Sequence, residues 1–243
     1  MMSTFTVIYN FVTYTASGFS VMMNVSPLLT IRRLEQSGTV GASTITFYGA
    51  QMYSAITWAS YGVFSTSYPL LISNTLGNTV STYCSLVFLA VARREEKSGR
   101  TLQSTTYSKS VMTYVFFFLL CAAHLLLSII IIISGRPEAA KTITGYEGCV
   151  AIIVMLSSPL MAFKHIVATK NAEVLAPAMV GCAFFNSLLW LIAGLMTGDA
   201  FIVAPNVPCL LACCVQVALL VIYGRRPTAP KEMREGIAPT PFG

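Results

Sequence analysis

The sequence predicts an all-α integral membrane fold: seven transmembrane helices, arranged as two parallel three-helix repeats joined by a linker helix. Three observations predict it. Of the 243 residues, 55% are hydrophobic and only 10% are charged. Soluble domains carry about 25% charged residues, so this surface is unsuited to water. Apolar runs of about 20 residues, the length of a bilayer crossing, recur along the chain. Finally, an ungapped comparison of the chain with itself at an offset of 132 residues aligns its rarest residues.

In chain order the apolar runs fall at about residues 5–29, 44–63, 68–91, 109–133, 145–167, 175–196 and 199–223. Gly62 and the Ser65-Thr66-Ser67 turn separate spans two and three, and Arg93 to Arg100 reads as a solvated loop. Ser134-Gly135-Arg136-Pro137 ends span four. The first repeat is thus 5–91 and the second 145–223. The linker region is 92–144, with its helix at 109–133. Residues 224–243 read as a disordered tail rich in Pro and charge.

The basic residues give the direction. Arg32 and Arg33 follow span one, and Arg93, Arg94, Lys97, Arg100 and Lys109 lie between spans three and four. Lys164 and Lys170 follow span five, and Arg225, Arg226, Lys231 and Arg234 follow span seven. Of the 15 Lys and Arg, only Arg136 and Lys141 fall on the other face. The positive-inside rule places the N-terminus outside and the C-terminus in the cytosol. The net charge of +6 is therefore a topology signal and not a nucleic-acid footprint. The seven Cys form no C-x-x-C pair and read as small apolar packing residues. No H-E-x-x-H or G-x-S-x-G string is present, so no metal, cofactor or catalytic site is expected.

At the 132-residue offset Met23 meets Met155, Ser26-Pro27-Leu28 meets Ser158-Pro159-Leu160, and Gly49 meets Gly181. Trp58 meets Trp190, Gly62 meets Gly194, and Asn74 meets Asn206. Trp58 and Trp190 are the only Trp residues in the chain. Three crossings leave a repeat on the opposite face, so one extra span is needed to bring the second repeat back parallel to the first. Span four supplies it. Transporter sites lie at such repeat interfaces, near Pro-interrupted helices.

Each matched pair has a plain reading and a functional one. Pro27 and Pro159 either mark helix ends or act as paired hinges. Trp58 and Trp190 lie roughly 7 Å below the outer ends of their spans. They belong either to an aromatic belt or to a cavity. Asn74 lies roughly 9 Å deep. An amide facing lipid is costly, so the Asn pair points inward, either to bond between helices or to bind a ligand. Two amides and two indoles around one centre suit a neutral polyol: amides exchange hydrogen bonds with hydroxyls, and indole faces cover apolar C–H. Ser54 and Asn186 share the Trp faces one turn earlier, and Met23 and Met155 precede their Pro by four residues. These four are candidates for the cavity floor. His124 is the one ionisable residue expected deep in a span, where it would make a hydrogen bond within the bundle. Ion-coupled carriers use such groups, so their scarcity points to facilitated diffusion.

The carrying strings are Ser26-Pro27-Leu28-Leu29-Thr30, Trp58-Ala59-Ser60-Tyr61-Gly62, Asn74-Thr75-Leu76-Gly77, Met155 to Leu160, Asn186 to Trp190 and Asp199 to Asn206. Together they resemble the SWEET (MtN3/saliva) sugar facilitators, over about residues 18–92 and 145–223. The resemblance implies a multi-pass plasma-membrane uniporter that works by alternating access in the lipid bilayer, as a homo-oligomer. It implies that Asn74, Asn206, Trp58 and Trp190 contact the sugar. It also implies that Met23, Ser54, Met155 and Asn186 shape the pocket, in a pattern closer to monosaccharide than disaccharide carriers. Tyr61 and Asp199 match the outer gate, and Pro27, Pro159 and Pro177 match three of four hinge prolines. Two departures stand out. Ile45-Thr46-Phe47 occupies the place of the fourth proline, and Pro205-Asn206-Val207-Pro208-Cys209 ends in Cys where the family usually has Gly.

Other classes fit less well. A PQ-loop carrier of amino acids or vitamins is expected to carry Pro-Gln, and both repeats read Pro-Leu. A seven-helix receptor would lack the duplication and would carry Asp-Arg-Tyr-like and Asn-Pro-x-x-Tyr-like strings. A retinal protein needs a Lys in span seven, and 199–223 has none.

Overall fold

The computed structural model describes residues 3–100, 102 and 105–225, apart from the side chains of 157–161. The expected tail lies outside the described residues from position 226 onward. The described residues form nine helices: α1 (Thr4–Val25), α2 (Pro27–Ser37), α3 (Thr46–Phe64), α4 (Tyr68–Lys97), α5 (Tyr107–Ile133), α6 (Pro137–Met155), α7 (Ser157–Thr169), α8 (Pro177–Thr197) and α9 (Ala200–Tyr223).

Seven crossings account for these nine helices, because spans one and five are each broken in two. Ser26 stays near helical geometry (φ −54°, ψ −34°), and its N–H bonds both Met22 and Met23 carbonyls. Pro27 follows as the first residue of α2, where its missing N–H costs nothing. The chain bends there without a loop. In span five Leu156 is the equivalent joint, its N–H reaching the Ile152 carbonyl. Among the described residues α4, α5, α8 and α9 are each long and apolar enough to cross a bilayer on those grounds alone. The remaining crossings are broken, or bury polar residues such as Gln51, Ser54 and Thr57 of α3.

Within the first repeat α1 packs on α4 and α4 on α3, the order span one, span three, span two. The second repeat follows the same order, with α6 and α7 on α9 and α9 on α8. The repeats meet through α1 on α8 and α3 on α6. Close approach is built into both halves alike. A methyl group at Gly62 would fall 2.8 Å from the Leu71 backbone nitrogen, and one at Gly194 would fall 2.9 Å from Val203 Cγ2.

The linker helix α5 breaks the symmetry, because it packs on α3, α4 and α6. Its Phe117 ring fills the space above Gly49, whereas nothing lies within 4 Å of a methyl placed at Gly181. The rest of α5 exposes Phe116, Leu119, Leu126 and Ile129. Such a surface suits acyl chains and would be unfavourable in water.

Two expectations need correction. The segment 93–100 is not a loop throughout, since α4 continues to Lys97. Arg93 and Arg94 are exposed while Glu95 is buried. Its carboxylate accepts the Val40 N–H (2.8 Å) and the Thr39 hydroxyl (2.6 Å), which clamps the α2–α3 connection. Span five also starts earlier than 145, at Pro137, which is set as the first residue of α6 by its fixed φ. Glu147 is therefore about 15 Å along the helix at 1.5 Å per residue. It is a deep acid that the apolar pattern placed near a span edge.

Candidate functional site

Two connected cavities lie between the repeats. The larger, of about 310 Å³, includes Met23, Ser54, Trp58, Asn74, Met155, Asn186 and Asn206 in its wall. The smaller, of about 110 Å³, brings Trp58, Trp190, Asn74 and Asn206 together, with Leu70 and Ile202 also in its wall. All eight residues singled out for the pocket thus line one of the two spaces. Neither wall contains Asp, Glu, Lys, Arg or His among the described residues.

The two amides are held alike. Asn74 Nδ2 donates to the Leu70 carbonyl (2.9 Å), and Asn206 Nδ2 donates to the Ile202 carbonyl (2.7 Å). In each case one of the two amide N–H groups bonds the preceding helical turn, and the second N–H and the amide oxygen are left for other partners.

The two indoles differ. Trp190 Nε1 donates to Ser20 Oγ (3.0 Å), which itself donates to Asn186 Oδ1 (2.6 Å). This chain ties α1 to α8 across the repeat interface. Trp58 Nε1 is buried without a partner among the described residues, its ring against Gly148 of α6. A methyl at Gly148 would lie 2.9 Å from Trp58 Cε2, so the indole packs flush on the α6 backbone.

Tyr61 and Asp199, the residues expected at the outer gate, are hydrogen-bonded to each other. Tyr61 is almost fully buried, and its hydroxyl lies 2.8 Å from each Asp199 carboxylate oxygen. Asp199 is also the N-cap of α9, accepting the Phe201 and Ile202 N–H groups (3.1 and 3.3 Å). The Asp199 carboxylate is thereby anchored by backbone donors. Trp58 and Phe201 pack edge-on against Tyr61, at 5.6 and 6.0 Å between centroids. Beside this pair a polar vestibule of about 460 Å³ is lined by residues that include Glu138, Lys141 and Asp199.

The prolines take different places. Pro27 sits at the α1–α2 joint and Pro177 is the first residue of α8. Pro159 lies near the start of α7, with its side chain outside the described residues. Without a proline, α3 begins at Thr46 with no side-chain cap. Pro205 and Pro208 lie inside α9. Pro205 cannot donate to the Phe201 carbonyl, and the Cys149 thiol takes that acceptor at 3.5 Å.

Several contributors escaped the sequence reading. Ser20 and Asn24 flank Met23, and Gln216 shares the Asn206, Cys209, Cys213 face of α9. Helical spacing from the named residues is the signal that points to them. The partners of His124 were also missed. Its Nδ1 lies 2.5 Å from Glu147 Oε2 and its Nε2 lies 3.1 Å from Ser60 Oγ.

The family profile described as "Sugar efflux transporter for intercellular exchange" matches residues 10–96 and 142–228. The chain belongs to the SWEET (MtN3) family of sugar transporters. As a SWEET-family protein it is a multi-pass membrane transporter of sugar and not an enzyme. The two matched stretches fall on the two structural repeats and omit all of α5.

The chain is 25% identical over 221 residues to "Sugar transporter SWEET1" of Drosophila pseudoobscura pseudoobscura, covering 90% of this chain and 92% of that one. It is 28% identical over 215 residues to "Bidirectional sugar transporter SWEET3b" of Oryza sativa subsp. japonica, covering 84% and 77%. Its fold matches a eukaryotic SWEET transporter structure with a TM-score of 0.75 at 17% identity, over 89% of this chain and 98% of that one.

Proposed function

We propose that this SWEET-family protein is a bidirectional uniporter of monosaccharides such as glucose, working by alternating access without an ion partner. The observation that carries this reading is the uncharged cavity shared by both repeats, with matched Asn and Trp pairs and a hydrogen-bonded gate at one end. Asn74 and Asn206 offer carbonyl oxygens to sugar hydroxyls, while Trp58 and Trp190 cover the C–H faces. Met23, Ser54, Met155 and Asn186 set the size of the space.

Volume favours the smaller sugars. The larger cavity, about 310 Å³, stands near the low end of the roughly 300–1,000 Å³ usual for small-molecule sites. Charge favours a neutral cargo. An amino acid would bring an ammonium and a carboxylate into a wall that, among the described residues, offers no charged counter-ion.

Tyr61 and Asp199 form the extracellular gate, with the N-terminus outside, the C-terminus in the cytosol and the protein at the plasma membrane. Opening then rocks the repeats about the α1–α8 and α3–α6 contacts. The joints at Pro27 and Pro159, and the helix start at Pro177, absorb the motion. Labelled-sugar uptake in cells lacking hexose carriers tests this reading. Glucose, galactose and fructose are the candidates and sucrose the control. Saturable hexose uptake is expected, and preferential sucrose uptake would overturn the size assignment.

A further inference from the structure

The connections that follow α2 and α7 are built alike, although residues 37–45 and 169–177 share no identity at the 132-residue offset. Gly38 and Lys170 stand at equivalent places, and both take left-handed backbone, with φ of 66° and 53°. The Ser37 hydroxyl reaches the Thr39 carbonyl (3.2 Å), and the Thr169 hydroxyl reaches the Asn171 carbonyl (3.4 Å). The Ser43 N–H then bonds the Val40 carbonyl, and the Leu175 N–H bonds the Ala172 carbonyl, both at 3.0 Å. Val40 and Ala172 are fully buried. Each also ties its own N–H to the end of the third span of its repeat. Val40 donates to Glu95 Oε2 of α4 (2.8 Å), and Ala172 donates to the Gly224 carbonyl just past α9 (2.9 Å).

The two pins share a donor and differ in the acceptor. In the second repeat the acceptor is main chain. In the first it is a side chain, and one substitution removes it. Glu95 is 4% exposed, and its other oxygen accepts the Thr39 hydroxyl at 2.6 Å. Among the described residues no Lys or Arg forms an ion pair with it. The carboxylate thus serves as an acceptor of two hydrogen bonds and not as half of a salt bridge.

We propose that Glu95 is a positioning residue for transport, which pins α2 to α4 so that bending in the first repeat is confined to the Ser26–Pro27 joint. The proposal rests on the sugar-transport reading above. α1 packs on α8 across the repeat interface as well as on α4, whereas α2 packs on α4 and meets α1 at their joint. Ile31 of α2 shares one core cluster with Val40 and with Phe88 and Val91 of α4. When the repeats rock, α1 is drawn by α8 while α2 is held by α4, and the joint between them takes the strain. Without the pin the buried Val40 N–H loses its acceptor, an unfavourable state that the connection relieves by leaving α4. α2 then trails α1, and the joint no longer sets where the span bends.

Glu95 lines neither cavity, so turnover and sugar affinity are separable. Glu95→Ala is expected to lower the maximal hexose rate severalfold at equal surface level, while the glucose Kd of the purified protein stays near wild type. Glu95→Gln keeps an oxygen for the Val40 N–H and turns an amide N–H toward the Thr39 hydroxyl, which accepts as well as donates. It should transport near the wild-type rate. Spin labels at the exposed positions 36 and 93 read the pin without sugar. Their distance distribution should be narrow in wild type and Glu95→Gln and broad in Glu95→Ala. A wild-type rate or an unchanged distribution in Glu95→Ala overturns the proposal, as does a glucose Kd weakened enough to account for the lost rate. Glu95→Gln as slow as Glu95→Ala also overturns it, because charge and not the pin would then matter. If Glu95→Ala fails to reach the membrane, Thr39→Val decides, since it removes one bond to the carboxylate and keeps the Val40 bond. A slower rate with a broader distribution supports the pin, and wild-type behaviour overturns it. Absence of any hexose uptake by wild type would fail the transport reading instead, and the spin-label distances would still report on the pin.

Discussion

Asn74 and Asn206 occupy equivalent places in the two repeats and make the same bond, each amide N–H to the carbonyl four residues earlier, at 2.9 and 2.7 Å. This shared anchoring fixes both carboxamides at the cavity wall before any sugar arrives. Orienting groups in advance removes part of the ordering cost of binding.

Asn74→Ala and Asn206→Ala should each abolish hexose uptake while surface abundance stays near wild type. The removed amide bonds only its own helix, so folding loses about 1 kcal/mol or less. Uptake and surface labelling in the same cells check this. Transport retained by either variant would make the amides structural.

Tyr61→Phe deletes the gate hydrogen bond and keeps the ring stacking against Trp58 and Phe201. A hydrogen bond to a charged acceptor contributes about 1.5–3 kcal/mol, so the closed-to-open ratio should fall roughly tenfold or more. Spin-label distances across the vestibule, between positions 63 and 197, should lengthen in the variant. An unchanged distance distribution would remove Tyr61 from the gate.

Asp199 has two roles that different substitutions divide. Asp199→Asn retains an oxygen for the α9 N-cap and weakens only the gate, whereas Asp199→Ala loses both. The alanine variant should be the less stable by about 1 kcal/mol in thermal unfolding in detergent, the usual value of a cap. Equal melting temperatures would mean that the cap contributes nothing.

Gly62→Ala and Gly181→Ala should part company. The added methyl strikes the Leu71 backbone at position 62 and meets open space at 181. Overpacking costs about 1–3 kcal/mol, while alanine in an unobstructed helix gains up to about 1 kcal/mol. Thermal stability should therefore fall for the first and hold or rise for the second.

The helical crossings and the pairing of Trp58 with Trp190 and of Asn74 with Asn206 were legible because hydropathy and a fixed offset survive in the linear chain. The inequality of the repeats was not. Gly49 and Gly181 look identical in sequence, and only the placement of α5 puts Phe117 on one of them. The two Trp residues look identical as well, and differ because Ser20 reaches one while Gly148 underlies the other. Glu147 was misplaced for a local reason. Lys141, Thr142, Thr144 and Glu147 interrupt the apolar run, and so concealed that α6 starts at Pro137. The Ser60–His124–Glu147 cluster joins residues 23 and 64 positions apart, which no periodicity reveals.

The central claim is that paired carboxamides and indoles line one neutral chamber through which hexoses equilibrate. Labelled-glucose flux into sealed liposomes containing the purified protein tests it most directly. Wild type should fill the vesicles until inside and outside concentrations are equal, with or without an imposed proton gradient, and Asn206→Ala should match empty vesicles. Accumulation beyond the outside concentration under the gradient, or wild-type flux no faster than empty vesicles, would contradict it.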